Sequence, residues 1–516
     1  VRWKVHVANR KAAWYEFVQP FDIPESVTLL CGRRNGDITG PARALLVNDP
    51  GPREIQGRNV NPNGTSAVYR FQGGSVYGIP IELGDVRTDP QGRLIVLGGK
   101  GNSASWIPGE EAKTFANNNT WYDDTSDGPV DATVTIGGRT LQAEGSWVVT
   151  APPNFAPGIQ GVVTLYDVMY SVALEMGAQA PEKPSFVRQI LPLLQRSVLY
   201  QWTNRGVLLA NGWGTPGNFM RPDFLRALSS LAPRFRSLRE SVFDQFRNPD
   251  FDEYEPDKLP PCYGDATSLP ATSNRQFQAI LPNQYEWLAQ WAAGDFVADL
   301  PASLVPEQGP AILERLPVSE QPGALDRASL DDCLGGPFHP GCELTWPVRQ
   351  QLLYSAPFRI ARRNGPEPDF GPMLTQSTAL SPNGPLAGSG PGDLSRWMAI
   401  SWQTHTSSCL YGYNEPNDVY LPTFWPARVP NNVLTRDDYA IVRNRNLPMH
   451  VRAAAFRRRA DWFRMKPANG LEQMRMVNKF VKTWSSIGVV TLRPGPGDPN
   501  FPAHFWVEEG AAFSPV

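Results

Sequence analysis

The residues best equipped for chemistry stand at His405-Thr-Ser-Ser-Cys409. An imidazole and a thiol four positions apart share one face if the segment is helical. A histidine so placed can hold or activate a thiolate. The same pair also reads as a buried cysteine beside a hydrogen-bonded histidine, which is the commoner use of both residues. A second cluster, Cys333-Leu-Gly-Gly-Pro-Phe-His-Pro-Gly-Cys342, carries Cys333, His339 and Cys342 on a tight Gly/Pro path. A Cys/His metal site needs a third or fourth ligand that this stretch does not supply, so no metal is expected. A third, Trp121-Tyr-Asp-Asp-Thr-Ser-Asp-Gly-Pro-Val130, has carboxylates at Asp123, Asp124 and Asp127. They could serve a cation, but Asp and Ser ahead of Gly-Pro more commonly cap turns, and a structural role is expected. Dinucleotide, P-loop, HExxH and GxSxG signatures are absent.

The elements that must position these groups change character along the chain. Over residues 1–150, short alternating runs such as Gly92-Arg-Leu-Ile-Val-Leu-Gly98 and Asp131-Ala-Thr-Val-Thr-Ile-Gly137 are broken by Gly, Pro, Asn and Asp. This predicts a sheet-rich module of sandwich type. Helical spacing follows, with Ile190, Leu191, Leu193, Leu194 and Val198 on one face of Phe186–Leu199. Between about Ala210 and Gly392, short helical patterns mix with Pro/Gly-rich loops, a texture that accompanies functional loops. A last helix is predicted over Leu471–Ile487, with Leu471, Met474, Val477, Val481 and Trp484 on its stripe, then Gly488 and the strand Val489–Leu492. The expected class is α+β: a sheet-rich domain over 1–150 packed on a mainly helical, loop-rich catalytic domain over 151–516. No internal repeat is evident.

Composition narrows the function. Lys+Arg number 48 and Asp+Glu 50, a net charge of −2, which argues against a nucleic-acid binder working through a basic surface. No apolar run approaches the roughly 20 residues that span a bilayer. Pro 51 and Gly 45 imply many turns, and 16 Trp, 15 Tyr and 24 Phe supply flat apolar surface for core and pocket walls. Five cysteines, an odd and sparse count without CxxC, argue against a disulfide framework. The chain opens at Val1-Arg-Trp-Lys4 without Met or a signal-like stretch, as if the native N-terminus were removed or left out. A soluble protein, cytoplasmic or exported, fits, and the compartment stays open.

Several blocks, in order, resemble the L-lysine ε-oxidase and glycine oxidase family: Trp3-Lys-Val-His-Val-Ala-Asn-Arg-Lys-Ala-Ala-Trp-Tyr15, Asn48-Asp-Pro-Gly-Pro-Arg53, Trp121 to Pro129, Ala151-Pro-Pro-Asn-Phe-Ala-Pro-Gly158, Cys333 to Gly341 and Met398-Ala-Ile-Ser-Trp-Gln403. The resemblance implies an amino-acid or amine oxidase that converts a primary amine and O2 to a carbonyl product, ammonia and hydrogen peroxide. Its cofactor would be cysteine tryptophylquinone, built from the enzyme's own side chains with the help of a flavoprotein maturation partner, and no external cofactor is expected. The resemblance makes Cys409 the thioether cysteine and Trp484, in Lys482-Thr-Trp-Ser-Ser-Ile-Gly488, its partner. Trp425 in Phe424-Trp-Pro-Ala-Arg428 is a rival whose plainer role is an aromatic loop anchor. Cys333, Phe338, Trp402 and Tyr166 or Tyr170 would line the substrate pocket, and homo-oligomers are implied.

Two departures stand out. Four residues before the cross-linked cysteine the family carries an Asp used in building the cofactor, and this chain has His405. Imidazole is also a base, but it differs from a carboxylate in shape and charge and can ligate metals. Cys342 replaces a usually aliphatic residue. The alternatives are therefore an enzyme using unmodified Cys409 and His405 or a metal, and a non-catalytic binding protein. Arg396, Arg428 and Arg457 through Arg459 are candidates for a substrate carboxylate, with surface solvation expected for each.

Overall fold

The computed structural model describes residues 1–265, 274–301, 311–336, 344–408, 421–424, 427–464 and 470–512. Cys409, Phe338, His339, Cys342 and Trp425 lie outside the described residues. The chain gathers into two compact units. The first holds Val1–Pro153, Phe338–Ser408 and Asn469–Lys482, and the second holds Asn154–Pro337, Cys409–Ala468 and Thr483–Val516.

A five-stranded antiparallel sheet organises the first unit. Its strand Arg2–Val5 pairs on one side with Ser126–Ile136 and on the other with Arg53–Gln56, setting Val5 opposite Val130 and Arg53. The long strand Ser126–Ile136 also receives Arg139–Gln142 and Ser146–Thr150. Side chains alternate across a pleated strand, so Val5, Ile55, Val130 and Ala132 reach the interior while intervening polar residues face outward. The ribbon of Asp85–Thr88 with Leu94–Leu97 adds Val86, and Phe71, Ile81 and Leu83 complete the core that also buries Trp121 and Ile400.

The predicted C-terminal helix is present as Gly470–Thr483, followed by a single 3-10 turn, Trp484–Ser486, and the strand Val489–Pro494. Val477 of the predicted stripe is fully buried, as is Phe480, and Val481 packs against the core of the first unit. Asn478 fixes its height: the amide accepts from Ala112 N at 2.8 Å and donates to Ala112 O at 3.0 Å.

The second unit is mainly helical. Leu165–Glu175, Leu191–Leu199, Arg205–Asn211, Pro282–Ala293 and Gln321–Leu330 are among its helices, and Val489–Pro494 pairs with His504–Glu509 as a hairpin. The apolar spacing over Phe186–Leu199 appears as a π-helical turn, Phe186–Ile190, running into Leu191–Leu199, with all five predicted apolar positions buried. Among the described residues no helix is long and apolar enough to cross a membrane.

Candidate functional site

His405 is carried on the short helix Trp402–Ser408 of the first unit and is completely buried. Seven residues make a marginal helix by themselves, so its start must be satisfied from elsewhere. Asp123 Oδ2 accepts from Trp402 N at 3.2 Å, placing a carboxylate where the helix end is positive. Ser401 Oγ accepts from Thr404 N at 3.4 Å, and Thr404 Oγ1 donates to Phe115 O at 2.8 Å. Asp123 is itself paired with Lys11 Nζ at 2.7 Å, both side chains being wholly inaccessible. Lys11 also donates to Ala399 O at 3.0 Å, while Asn9 Nδ2 and Thr125 Oγ1 donate to Asp123 Oδ1 at 3.0 and 2.9 Å.

The rest of the acidic run works in the same way. Asp127 accepts from Ser395 N at 2.7 Å, Ser395 Oγ at 2.6 Å, Leu394 N at 3.1 Å and Trp147 Nε1 at 2.9 Å. Burial pushes its carboxyl up to about 6 against those donors. Asp124 is pushed to about 6 by burial and by neighbouring Asp123, opposed by the backbone N–H groups of Asn102, Gly101 and Lys100. The run from Asp123 to Asp127 therefore holds segment 394–402, and its oxygens are committed to protein donors. Aromatic rings enclose the imidazole it positions: Phe17 lies 5.3 Å from the His405 ring and Phe115 lies 5.5 Å away.

Two of the expected pocket residues, Cys333 and Tyr166, come together in the second unit. Thr164 caps the helix Leu165–Glu175 with a reciprocal capping box to Asp167. The Cys333-Leu-Gly-Gly stretch is strapped onto that helix start by Leu165 N to Cys333 O at 2.8 Å and Gly335 N to Val163 O at 3.0 Å. Gly335 is required for the approach, because a Cβ there would lie 1.9 Å from Thr164 O. Tyr166 and Tyr170, one turn apart, stack at 5.9 Å with 14° between planes. The Arg327 guanidinium covers the Tyr166 ring at 5.3 Å and donates to Asp331 at 3.0 Å. Burial pushes the Tyr166 phenol upward against the opposing charge of Arg327.

Asp331 also accepts from Thr164 Oγ1 at 3.2 Å and lies 3.5 Å from Arg196. Desolvation and the Asp331 charge raise the Asp332 carboxyl, opposed by Arg428. Arg428 is 6% exposed and donates to Asp332 O at 3.3 Å. Cys333 is half-buried, with Sγ 3.6 Å from Ser329 O. The arrangement gathers stacked tyrosines, Arg327, Asp331, Asp332 and Arg428 around the start of the helix Leu165–Glu175. Asp332 can face an ammonium and Arg428 a carboxylate. Arg327, Asp331 and Asp332 were not singled out by the sequence, although Asp331 and Asp332 immediately precede Cys333.

Trp484 opens the turn Trp484–Ser486 and is partly buried. Ser486 O accepts from Ala512 N at 2.9 Å, and Gly488 reverses the chain at φ 79°, where a Cβ would lie 2.5 Å from Glu509 O. Trp402, expected in the pocket, is 2% exposed at the first turn of its helix.

The arginines correct a sequence expectation. Arg396 and Arg428, expected at the surface, are buried, as is the guanidinium of Arg459. Arg396 stacks on Trp14 at 3.5 Å and pairs with Glu367 at 2.5 Å and Asp393 at 2.9 Å. Arg459 lies over Trp202 at 5.6 Å and donates to Phe456 O and Arg458 O, its proton affinity lowered by burial to about 9. A planar guanidinium can be stacked and hydrogen-bonded at once, which permits such burial. Arg457 and Arg458 are exposed, and Arg458 pairs with Asp438 at 2.5 Å. Among the described residues no group of three or more His, Cys, Asp or Glu is placed to hold a metal, and Cys31 and Cys262 are buried free thiols.

Two family models match. L-lysine epsilon oxidase N-terminal matches residues 1–150, and the L-lysine epsilon oxidase C-terminal domain matches residues 263–425. L-lysine 6-oxidase of Marinomonas mediterranea is 28% identical over 482 residues, an alignment covering 81% of this chain and 61% of the relative. The chain thus spans about three fifths of the length of the curated relative it matches. Crystal structures of the L-Lys epsilon-oxidase from that organism, one of them titled as the Schiff base intermediate with L-Lys, superpose with a TM-score of 0.67 at 23% identity. Each covers 99% of this chain and 82% of the solved chain, a likeness of fold. With both family models matched in order over more than half its length, the chain belongs to the L-lysine epsilon oxidase family.

Proposed function

We propose that the protein is an amine or amino-acid oxidase. The reaction takes a primary amine, dioxygen and water to a carbonyl compound, ammonia and hydrogen peroxide. Family membership across both units is the observation that carries this reading. Cys409 and Trp484 would hold the group, a cysteine tryptophylquinone, which would supply an electrophilic ortho-dione for two-electron oxidation of the amine with dioxygen as the final acceptor.

The chain's own residues fit such a group. Trp484 is only partly buried at a helix end, and His405 precedes Cys409 by four positions in the sequence. In building that group His405 would accept a proton on a ring nitrogen, the task that the resemblance implies for an Asp at this position. Its shell of Phe17 and Phe115 keeps water from the imidazole. In turnover, Asp332 and Arg428 orient the substrate against the Tyr166–Tyr170 wall, with Cys333 at its edge. L-lysine, the substrate named for the relative, is the first to test.

The test is the simultaneous release of peroxide and ammonia from a panel of primary amines and amino acids, by protein produced with its flavoprotein maturation partner. Equal yields from at least one primary amine, and none from tertiary amines, are expected. A colourless, folded protein that releases neither would contradict the proposal. His405 in place of Asp specifically favours one other reading, an enzyme or binding protein with Cys409 and His405 unmodified. Metal analysis and thiol titration of that colourless protein separate a metal-dependent, a thiol-dependent and a non-catalytic form.

A further inference from the structure

A cavity of about 350 Å3 in the second unit is walled by the rings of Tyr254, Tyr263 and Phe277, with Asn211 and Asp257 also in its lining. It shares no residue with the site described above. The segments that carry it are tied by backbone bonds: Tyr263 N donates to Thr423 O at 2.8 Å, Gln278 N to Cys262 O at 2.9 Å and Leu259 N to Gln245 O at 2.7 Å. The rings are set against one another, Tyr254 edge-on to Phe277 at 5.7 Å and Tyr263 on Phe424 at 4.6 Å. Aromatic faces attract cations through the ring quadrupole. Arg247 already covers one face of Phe277 at 5.1 Å, which leaves Tyr254 and Tyr263 for a ligand.

Two further observations give the cavity a sign. The stretch 247–278 carries Asp250, Asp252, Glu253, Glu255, Asp257 and Asp265 against Arg247, Lys258 and Arg275, six acids to three bases. Lys258 is taken by Glu255 at 2.5 Å. Arg247 is buried and spends its guanidinium on the carbonyls of Glu255 at 2.9 Å, Pro256 at 3.3 Å, Lys258 at 2.6 Å, Pro260 at 2.9 Å and Gln278. Its charge acts on Asp257 only through space, and the excess of acids already counts it. Asp257 is exposed and forms no ion pair among the described residues, so the lining holds a carboxylate with no cation in contact. The second observation is Asn211, 9% exposed at the end of the helix Arg205–Asn211. Its Nδ2 donates to Gly217 O at 3.2 Å, which fixes the orientation of the amide. Its Oδ1 accepts no hydrogen bond among the described residues and keeps accessible surface on the cavity, where a ligand N–H can reach it.

We infer that this cavity is a binding site for a small organic ammonium ion that carries an N–H and an apolar body. The N–H donates to Asn211 Oδ1, Asp257 supplies the countercharge, and the body packs on Tyr254 and Tyr263. The site does not rest on the proposed oxidase chemistry.

Calorimetric titration of the intact protein near neutral pH with N,N-dimethylbenzylammonium tests it, with benzyl alcohol as the uncharged comparison. The proposed oxidation does not consume a tertiary amine, so binding is read alone. The ammonium ion should bind at one site and benzyl alcohol roughly tenfold more weakly. Benzyltrimethylammonium keeps the charge but lacks the N–H, and should bind about threefold more weakly than the tertiary ion. Asp257→Asn should weaken the tertiary ion about fivefold. Tyr254→Ala should weaken it about threefold, and both positions are exposed, so the variants keep the fold. Asp332→Asn, in the site described above, should leave binding unchanged. No binding, equal binding of benzyl alcohol or of the quaternary ion, indifference to Asp257→Asn or to Tyr254→Ala, or sensitivity to Asp332→Asn would each overturn the assignment.

Discussion

Lys11 and Asp123, joined through a bond across 112 residues, carry the start of the helix that bears His405. Removing one partner of a fully buried ion pair leaves the other charge uncompensated, at a cost of roughly 3–5 kcal/mol. Lys11→Met should therefore lower the unfolding free energy by about that amount in denaturant titration, and a loss below about 1 kcal/mol would show the pair to be dispensable. Asp127 gives a pH signature. Its folded-state value of about 6 stands above the ordinary 3.8, so the native protein holds a proton that the unfolded chain has released between those values. Its contribution is full below about 4 and falls by roughly 3 kcal/mol as pH rises through 6. The stability gap between wild type and Asp127→Asn should shrink over that window and stay flat above it. At His405, replacement by Asp installs the carboxylate that the family resemblance implies, and on the proposed function it should preserve quinone formation. His405→Ala should abolish it, with an unchanged far-ultraviolet circular dichroism spectrum.

At the scale of elements, the Cys333 loop and the helix Leu165–Glu175 act as one piece because Gly335 lets their backbones touch. Gly335→Ala should push Cys333 away from Tyr166. The expected result is a KM for amine raised at least tenfold with a smaller change in kcat, and unchanged KM would show that the strap does not shape the pocket. Such packing explains what was legible in the sequence. The stripe from Leu471 to Trp484 and the apolar positions of Phe186–Leu199 are set by local periodicity, and both elements occur where the pattern puts them. The buried Arg396, Arg428 and Lys11 depend on partners far along the chain, so composition and spacing place them at the surface. The acidic run was legible as structural from its turn chemistry, but its attachment to segment 394–402 was not.

Across the whole molecule, the sheet-rich beginning and helical remainder follow from strand alternation giving way to helical spacing near residue 159. The return of segments 338–408 and 469–482 to the N-terminal unit has no local signal, because it is fixed by long-range pairs such as Asn478 with Ala112. His405, Cys409 and Trp484 are tied to one chemistry by the family resemblance alone, and that assignment stands as the proposal. The most direct test of that chemistry is peptide mass mapping of the reduced protein, produced with the proposed flavoprotein maturation partner. The account predicts a single species joining the peptides of Cys409 and Trp484, with two oxygens gained and four hydrogens lost. Separate, unmodified Cys409 and Trp484 peptides would contradict it.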